Sequence, residues 1–169
     1  MHPTDVLSQE HRIIEARLTA LELEIARISS GAPFELRFFE EALDFFRNFA
    51  DGCHHAKEEN LLFPRMSQRG VPQNGGPIGV MLAEHEQGRG YLRAVRENLE
   101  AAAAGSEAAR AAVFQNAGDY IDMLRHHIFK EDNILFRMGK MVLQPEDVDE
   151  LSRQFAAVEV PERFQALAG

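Results

Sequence analysis

Two segments of this 169-residue chain, His54-His-Ala-Lys-Glu-Glu-Asn-Leu-Leu-Phe63 and His127-Ile-Phe-Lys-Glu-Asp-Asn-Ile-Leu-Phe136, repeat one pattern in which a histidine precedes a glutamate by four residues. On an α-helix, residues four apart share a face about one turn apart, so the imidazole and carboxylate of each copy point to the same place. This constrains the fold more than any other feature. Both segments must be helical, and the faces carrying His54, Glu58, His127 and Glu131 must meet if the four side chains are to act together. Each copy then supplies half of a two-metal site.

The duplication reaches further back. Glu10-His11 aligns with Glu84-His85, Leu18 with Leu92, Ala20 with Ala94 and Ile25 with Leu99. His54 follows His11 by 43 residues, and His127 follows His85 by 42. A pair of helices carrying candidate ligands thus occurs twice. An antiparallel bundle built from two such pairs has an approximate two-fold axis, and a two-metal centre belongs on that axis.

The length suits one domain able to bury a core without disulfides. A net charge of −9 and a pI near 5.2 argue against nucleic acid, whose recognition needs clustered cations. No apolar run approaches the roughly 20 residues that span a bilayer. The opening Met-His-Pro-Thr-Asp lacks a basic stretch followed by an apolar signal core, so a cytoplasmic location without membrane association is expected. Cys53 is the only cysteine, which excludes an intrachain disulfide and a cysteine-rich metal motif, and it is expected to be a small buried side chain. There is no glycine-rich phosphate loop, no Gly-x-Ser-x-Gly elbow and no basic surface helix. Small molecules, metal ions and other proteins remain as partner classes, and nothing identifies a particular protein partner.

Ile14, Leu18, Leu21, Ile25 and Ile28 are spaced by threes and fours on a stripe shared with His11, which predicts a helix from about Thr4 to Ile28. A second helix from about Glu35 carries Phe39, Leu43, Phe46 and Ala50 toward His54, Glu58 and Leu61. Pro64 is expected to kink or end it, because proline offers no donor to the Asn60 carbonyl. Residues 69–77 read as a loop, and Pro77 fits the first turn of a third helix through Val80, Met81, His85, Leu92, Val95 and Leu99. Gly105 breaks that helix and Ser106 can cap a fourth, whose stripe holds Val113, Ala117, Tyr120, Leu124, His127, Glu131, Ile134 and Met138. Pro145 opens a short fifth helix. No stretch alternates as a strand does. The reading is all-α: an up-down-up-down antiparallel four-helix bundle over residues 1–142, followed by a short C-terminal helical extension over 143–169 as an accessory segment.

The candidate metal ligands are His11, His54, Glu58, His85, His127 and Glu131. All six fall on apolar stripes, where an isolated ionised carboxylate costs on the order of several kcal/mol unless it is paired or bound to a cation. Buried His–Glu ion pairs are the alternative, but two of them in one core layer are costly to keep for stability alone. Imidazole and carboxylate without thiolate suit iron, manganese or zinc. Six protein donors around two ions leave coordination positions vacant. His55, adjacent to His54, is an alternative source of a further nitrogen ligand, but it lies about 100° round a regular helix from His54, a direction that favours its pointing away. Glu59, Glu86, His126 and Asp132 are expected behind the ligands or in solvent, and His2 is expected to be disordered.

Over about residues 5–140 the chain resembles the hemerythrin-like (HHE cation-binding) family. The matching residues are His11 in Gln9-Glu-His11, His54 and Glu58 in the segment ending at Pro64, His85 in Glu84-His85-Glu86, His127 with Glu131, and the Gly76-Pro-Ile-Gly-Val-Met81 start of the third helix. The resemblance implies a left-handed bundle holding two iron ions in a non-heme centre, with Glu58 and Glu131 as bridges. Oxygen-carrying members have a second histidine one turn after the third-helix ligand, where this chain has Arg89. They end with an aspartate five residues after the last histidine, where this chain has Glu131 four residues after His127. Both departures point away from reversible oxygen carriage and toward a more open site.

A diiron centre among Phe46, Phe49, Phe63, Phe129 and Phe136 would admit small neutral molecules, so dioxygen or nitric oxide is the expected ligand, with iron uptake itself a related role. The alternative is an enzyme that removes peroxide or nitric oxide, or delivers iron to damaged iron–sulfur centres. A third reading is a bundle whose metal only stabilises the fold.

Overall fold

Helix α1 covers Pro3–Ser29, with Pro3 in the first turn, where its missing N–H costs nothing. The structure, a computed structural model, describes residues 1–167, and every regular element among them is helical. His2, expected to be disordered, instead caps α1: its Nδ1 accepts from the Thr4 backbone N–H at 3.3 Å. The buried stripe of α1 runs through Leu7, His11, Ile14, Leu18, Leu21 and Ile28.

The second helical stretch is continuous but not uniform. Helix α2, Leu36–Phe45, passes into a π-helical segment Phe46–His55, then a second one at Glu58–Leu62, then α3, Phe63–Gln68. Pro64 neither ends nor breaks it. The π turn just ahead bonds Phe63 N–H to the Glu58 carbonyl, five residues back, and this wider turn accommodates the proline ring.

Helix α4 covers Pro77–Ala103 and packs along α5, Glu107–Lys130, more extensively than any other pair of elements. Between them Gly105 adopts φ 98°, a left-handed conformation that glycine takes without steric cost. Ser106 Oγ accepts from the Ala109 N–H at 3.2 Å, as its N-cap position requires. A π turn at Glu131–Leu135 follows α5 and leads into α6, Phe136–Val142. The wide turn also shifts the stripe. Leu135 is buried, whereas Ile134, expected on the buried face, is 50% exposed; Val80 on α4 is likewise exposed.

Helix α7, Pro145–Ala156, packs on α1 and on the Glu58–Leu62 turn. Asp147 fixes its start. The carboxylate accepts from the Gln144 backbone N–H at 2.9 Å and pairs with Arg65 and Arg69. A 3₁₀ turn, Glu162–Leu167, places Phe164 against Phe45 and Phe49. No helix among the described residues is long and apolar enough to cross a membrane.

The core is two apolar clusters. One holds Ile14, Phe39, Phe46, Phe49, Val95, Val113 and Leu124 among others; the smaller holds Leu7, Leu62, Phe63, Met66, Ile78, Leu135 and Phe136. Along each long stretch the candidate ligands come between the two: His11 between Leu7 and Ile14, His54 between Ala50 and Leu62, His85 between Met81 and Val95, His127 between Leu124 and Leu135. Each fully buried phenylalanine or leucine contributes about 1.5–3 kcal/mol to holding this layer in place.

Candidate metal centre

The fold brings all six sequence-derived candidates together. Their exposures are 0% for His11, Glu58 and Glu131, 1% for His54 and His127, and 2% for His85. Their donor atoms form two groups, His11, His54, Glu58 and Glu131 in one and His55, Glu58, His85 and His127 in the other, with the atoms of each group within 4.8 Å of one another. Glu58 belongs to both, with Oε1 3.4 Å from His54 Nε2 and Oε2 3.5 Å from His85 Nε2. Glu131 spans them too, its Oε2 3.1 Å from His11 Nε2 and its Oε1 3.3 Å from His127 Nε2. Each carboxylate therefore reaches a histidine of either group, the placement a bridging ligand needs.

His55 corrects the sequence reading. It was expected to point away, yet it is 5% exposed and its ring stacks on His85 with centroids 3.8 Å apart. The cause is the π segment Phe46–His55: more residues per turn means a smaller rotation between neighbours, so His54 and His55 both face the centre. The second half of the chain keeps a regular helix up to Lys130, and Ile128, the counterpart of His55, lies in the apolar core. The near-symmetry breaks at this one position, giving five imidazoles.

All five imidazoles are held from behind by a carboxylate at Nδ1: His11 by Asp132 at 2.9 Å, His54 by Glu10 at 2.9 Å, His55 by Asp51 at 3.2 Å, His85 by Glu59 at 2.6 Å and His127 by Glu84 at 2.9 Å. An ionised carboxylate only accepts, so Nδ1 carries the proton and Nε2 faces the centre, the tautomer a metal ligand requires. Basic groups stand behind these acids: Lys57 on Glu10, Lys130 on Glu84, Arg12 on Asp132, and Arg89 on both Asp51 and Glu59. Glu59 and Asp132 are thus orienting groups, while Glu86 is exposed against Arg89 and His126 is exposed. Sequence reasoning did not assign Glu10, Glu84 and Asp51 this duty. The repeated Glu-His pair and the repeated lysine before each glutamate carried the signal for two of them.

The donor set fits cations on an observation internal to the site. Glu58 Oε1, Glu58 Oε2 and Glu131 Oε1 are buried and have no hydrogen-bond partner among the described residues, an arrangement that is costly unless something positive meets them. Burial, and then the neighbouring Glu131 charge, push the Glu58 carboxyl well above its usual range. Burial also opposes ionisation of Glu131, but His127 and His11 outweigh it and hold that carboxyl well below. Burial depresses His127, yet Glu131 and Glu84 raise it to about 9; burial dominates at His54, which falls to about 4. Without cations, then, Glu58 favours its protonated form while Glu131 stays ionised against His127 and His11.

Aromatic rings close the layer. Phe136 stacks on His11 at 5.3 Å and Phe63 lies 6.2 Å from His85. Phe46 and Phe49 are buried on the other side, but Phe129, expected among them, is 64% exposed, because it sits on the outer face of α5. Beside His55 and His85, α4 passes close to α5 at Gly88, where a Cβ would come within 2.9 Å of Met123 Cε and 3.3 Å of Tyr120 Cε2. A narrow slot lined by His55, His85, Gly88 and Tyr120 lies there. Cys53 is buried and donates to the Asn48 carbonyl.

Several known proteins are similar to this chain. An uncharacterized protein of Mycobacterium tuberculosis and one of Mycobacterium bovis are each 25% identical over 153 residues, 90% of this chain. The iron-sulfur cluster repair protein YtfE of Escherichia coli O157:H7 is 35% identical over 85 residues, 49% of this chain. The chain spans only 59% of the mycobacterial proteins and 39% of the Escherichia coli one. The hemerythrin HHE cation binding domain matches residues 2–139, which takes in all seven donors described above, and this chain belongs to that family.

Proposed function

We propose that this chain is a diiron protein which binds or senses dioxygen or nitric oxide at a carboxylate-bridged centre. The single observation that carries the proposal is the convergence of five Nε2-inward imidazoles on two buried carboxylates, three of whose four oxygens lack a hydrogen-bond partner among the described residues. His11 and His54 would hold one ion; His55, His85 and His127 would hold the other; Glu58 and Glu131 would bridge. Two iron ions bound there supply redox chemistry and open coordination positions, and manganese or zinc fits the same donors. The residues do the rest. Asp132, Glu10, Asp51, Glu59 and Glu84 fix the imidazole tautomers, while Phe63 and Phe136 keep bulk water out. The His11 and His54 group offers two nitrogens against three in the other, so an ion held there would leave more room for a small neutral ligand. The arrangement is an up-down-up-down antiparallel bundle over residues 1–142 with 143–169 as an accessory segment, acting in the cytoplasm without nucleic acid or membrane.

A second reading is an enzyme that removes peroxide or nitric oxide, or repairs damaged iron–sulfur centres. It is favoured by the likeness to the iron-sulfur cluster repair protein, which is confined to about half of this chain. Metal analysis of anaerobically purified protein tests the centre: two irons per chain are expected, and fewer in Glu58→Ala and Glu131→Ala. Unchanged stoichiometry in both variants refutes the bridging assignment. Reduced protein that develops a stable oxygen-dependent absorption band supports the binding reading; catalytic consumption of peroxide or nitric oxide supports the enzyme.

A further inference from the structure

The chain is strongly acidic, and most of its arginines are neutralised. Four, Arg47, Arg93, Arg96 and Arg137, make no ion pair, side-chain hydrogen bond or cation–π contact among the described residues. Three of the four line one cavity. It has a volume of about 270 Å³, lies where α2 and the Phe46–His55 segment face α4, and is lined also by Arg89, Asp51, Leu43 and Leu92. Arg89, Arg93 and Arg96 recur at intervals of four and three on α4, while Arg47 and Asp51 are four apart on the facing segment. The basic patch belongs to two helices at once, so no single stretch of sequence displays it.

Three exposed guanidiniums that line one concavity without an acid partner give it a positive potential that favours an anion. Arg89 is already committed to Asp51, Glu59 and Glu86, so it balances the acids there rather than the ligand. We infer that this cavity is a binding site for a small oxyanion carrying two negative charges, of the phosphate or phosphomonoester class, held by Arg47, Arg93 and Arg96. Planar guanidiniums give paired N–H donors matched to phosphate oxygens, and the leucine wall suits a short organic body better than a second protein. The site is separate from the metal centre and adjoins it. Asp51 is shared between the cavity, Arg89 and His55, so an occupant beside Asp51 lies one hydrogen bond from an imidazole of the centre.

The test is calorimetric titration of the metal-loaded protein with inorganic phosphate and with a small phosphomonoester, at low and high salt. Saturable binding is expected for at least one of them, weakening with ionic strength and falling roughly ten-fold or more in Arg93→Glu and in Arg96→Glu. Both side chains are exposed, and circular dichroism checks that the variants fold. Absence of saturable binding by the folded parent protein overturns the inference. So does binding that persists in both variants and shifts the metal absorption, which would place the anion on the ions instead. Metal content is read in the same samples, so a failure of the diiron reading is seen separately from a failure of this one.

Discussion

A carboxylate behind an imidazole does two things: it selects the proton-bearing nitrogen and it fixes the ring plane. Glu84 does both for His127 and is itself neutralised by Lys130, as Glu10 does for His54 with Lys57. Replacing Glu84 with Gln keeps the shape but lets the amide present either a donor or an acceptor to Nδ1. Metal affinity is expected to fall about 10–100-fold, measured by competition with a chelator, with the helical content unchanged. An affinity equal to that of the parent protein would leave Glu84 without an orienting role. The six main donors were legible in the sequence because each lies on an apolar stripe at helical spacing. His55 was not, since the 100° argument assumes a regular helix and the turn that carries it is wider.

At the scale of elements, helix beginnings were readable and helix interiors less so. Pro77 and Ser106 stand where a missing donor or a side-chain acceptor is needed, and α4 and α5 start there. The π turns at Glu58–Leu62 and Glu131–Leu135 left no sequence mark of their own, yet they occupy matching positions in the two repeats and begin at the two glutamates. Two misplacements follow from the same source, Ile134 and the expected break at Pro64. Asp147 shows what a single capping residue can hold. Its pairing with Arg69, Arg65 and the Gln144 N–H keeps its carboxyl well below the ordinary value of 3.8. A depressed acid contributes stability that is present above its ordinary value and lost as pH falls toward the folded-state value. Asp147→Ala is therefore expected to cost about 1–2 kcal/mol in denaturant unfolding at pH 7, and less when the two proteins are compared below pH 3. An equal deficit at both pH values would show that the charge is not what holds α7.

Seen as a whole, the molecule is a duplicated helical pair whose halves agree at His11 and His85, His54 and His127, Glu58 and Glu131, and in the acids behind them, but differ at His55 and Ile128. The likeness of the halves was visible in the chain itself. What could not be read there was that the ionisable layer separates two apolar bodies, because that depends on how four stretches line up in space. The consequence concerns unfolding. If cations are what join the two bodies across their charged waist, stripping them with a chelator should turn one melting event into two. The smaller body, built on Leu7, Phe63 and Phe136, is expected to loosen first, with its amides exchanging with deuterium while those around Phe46 and Val113 stay protected. A single calorimetric transition with unchanged exchange after metal removal would show that the two bodies hold together unaided, and that the ions serve chemistry rather than cohesion.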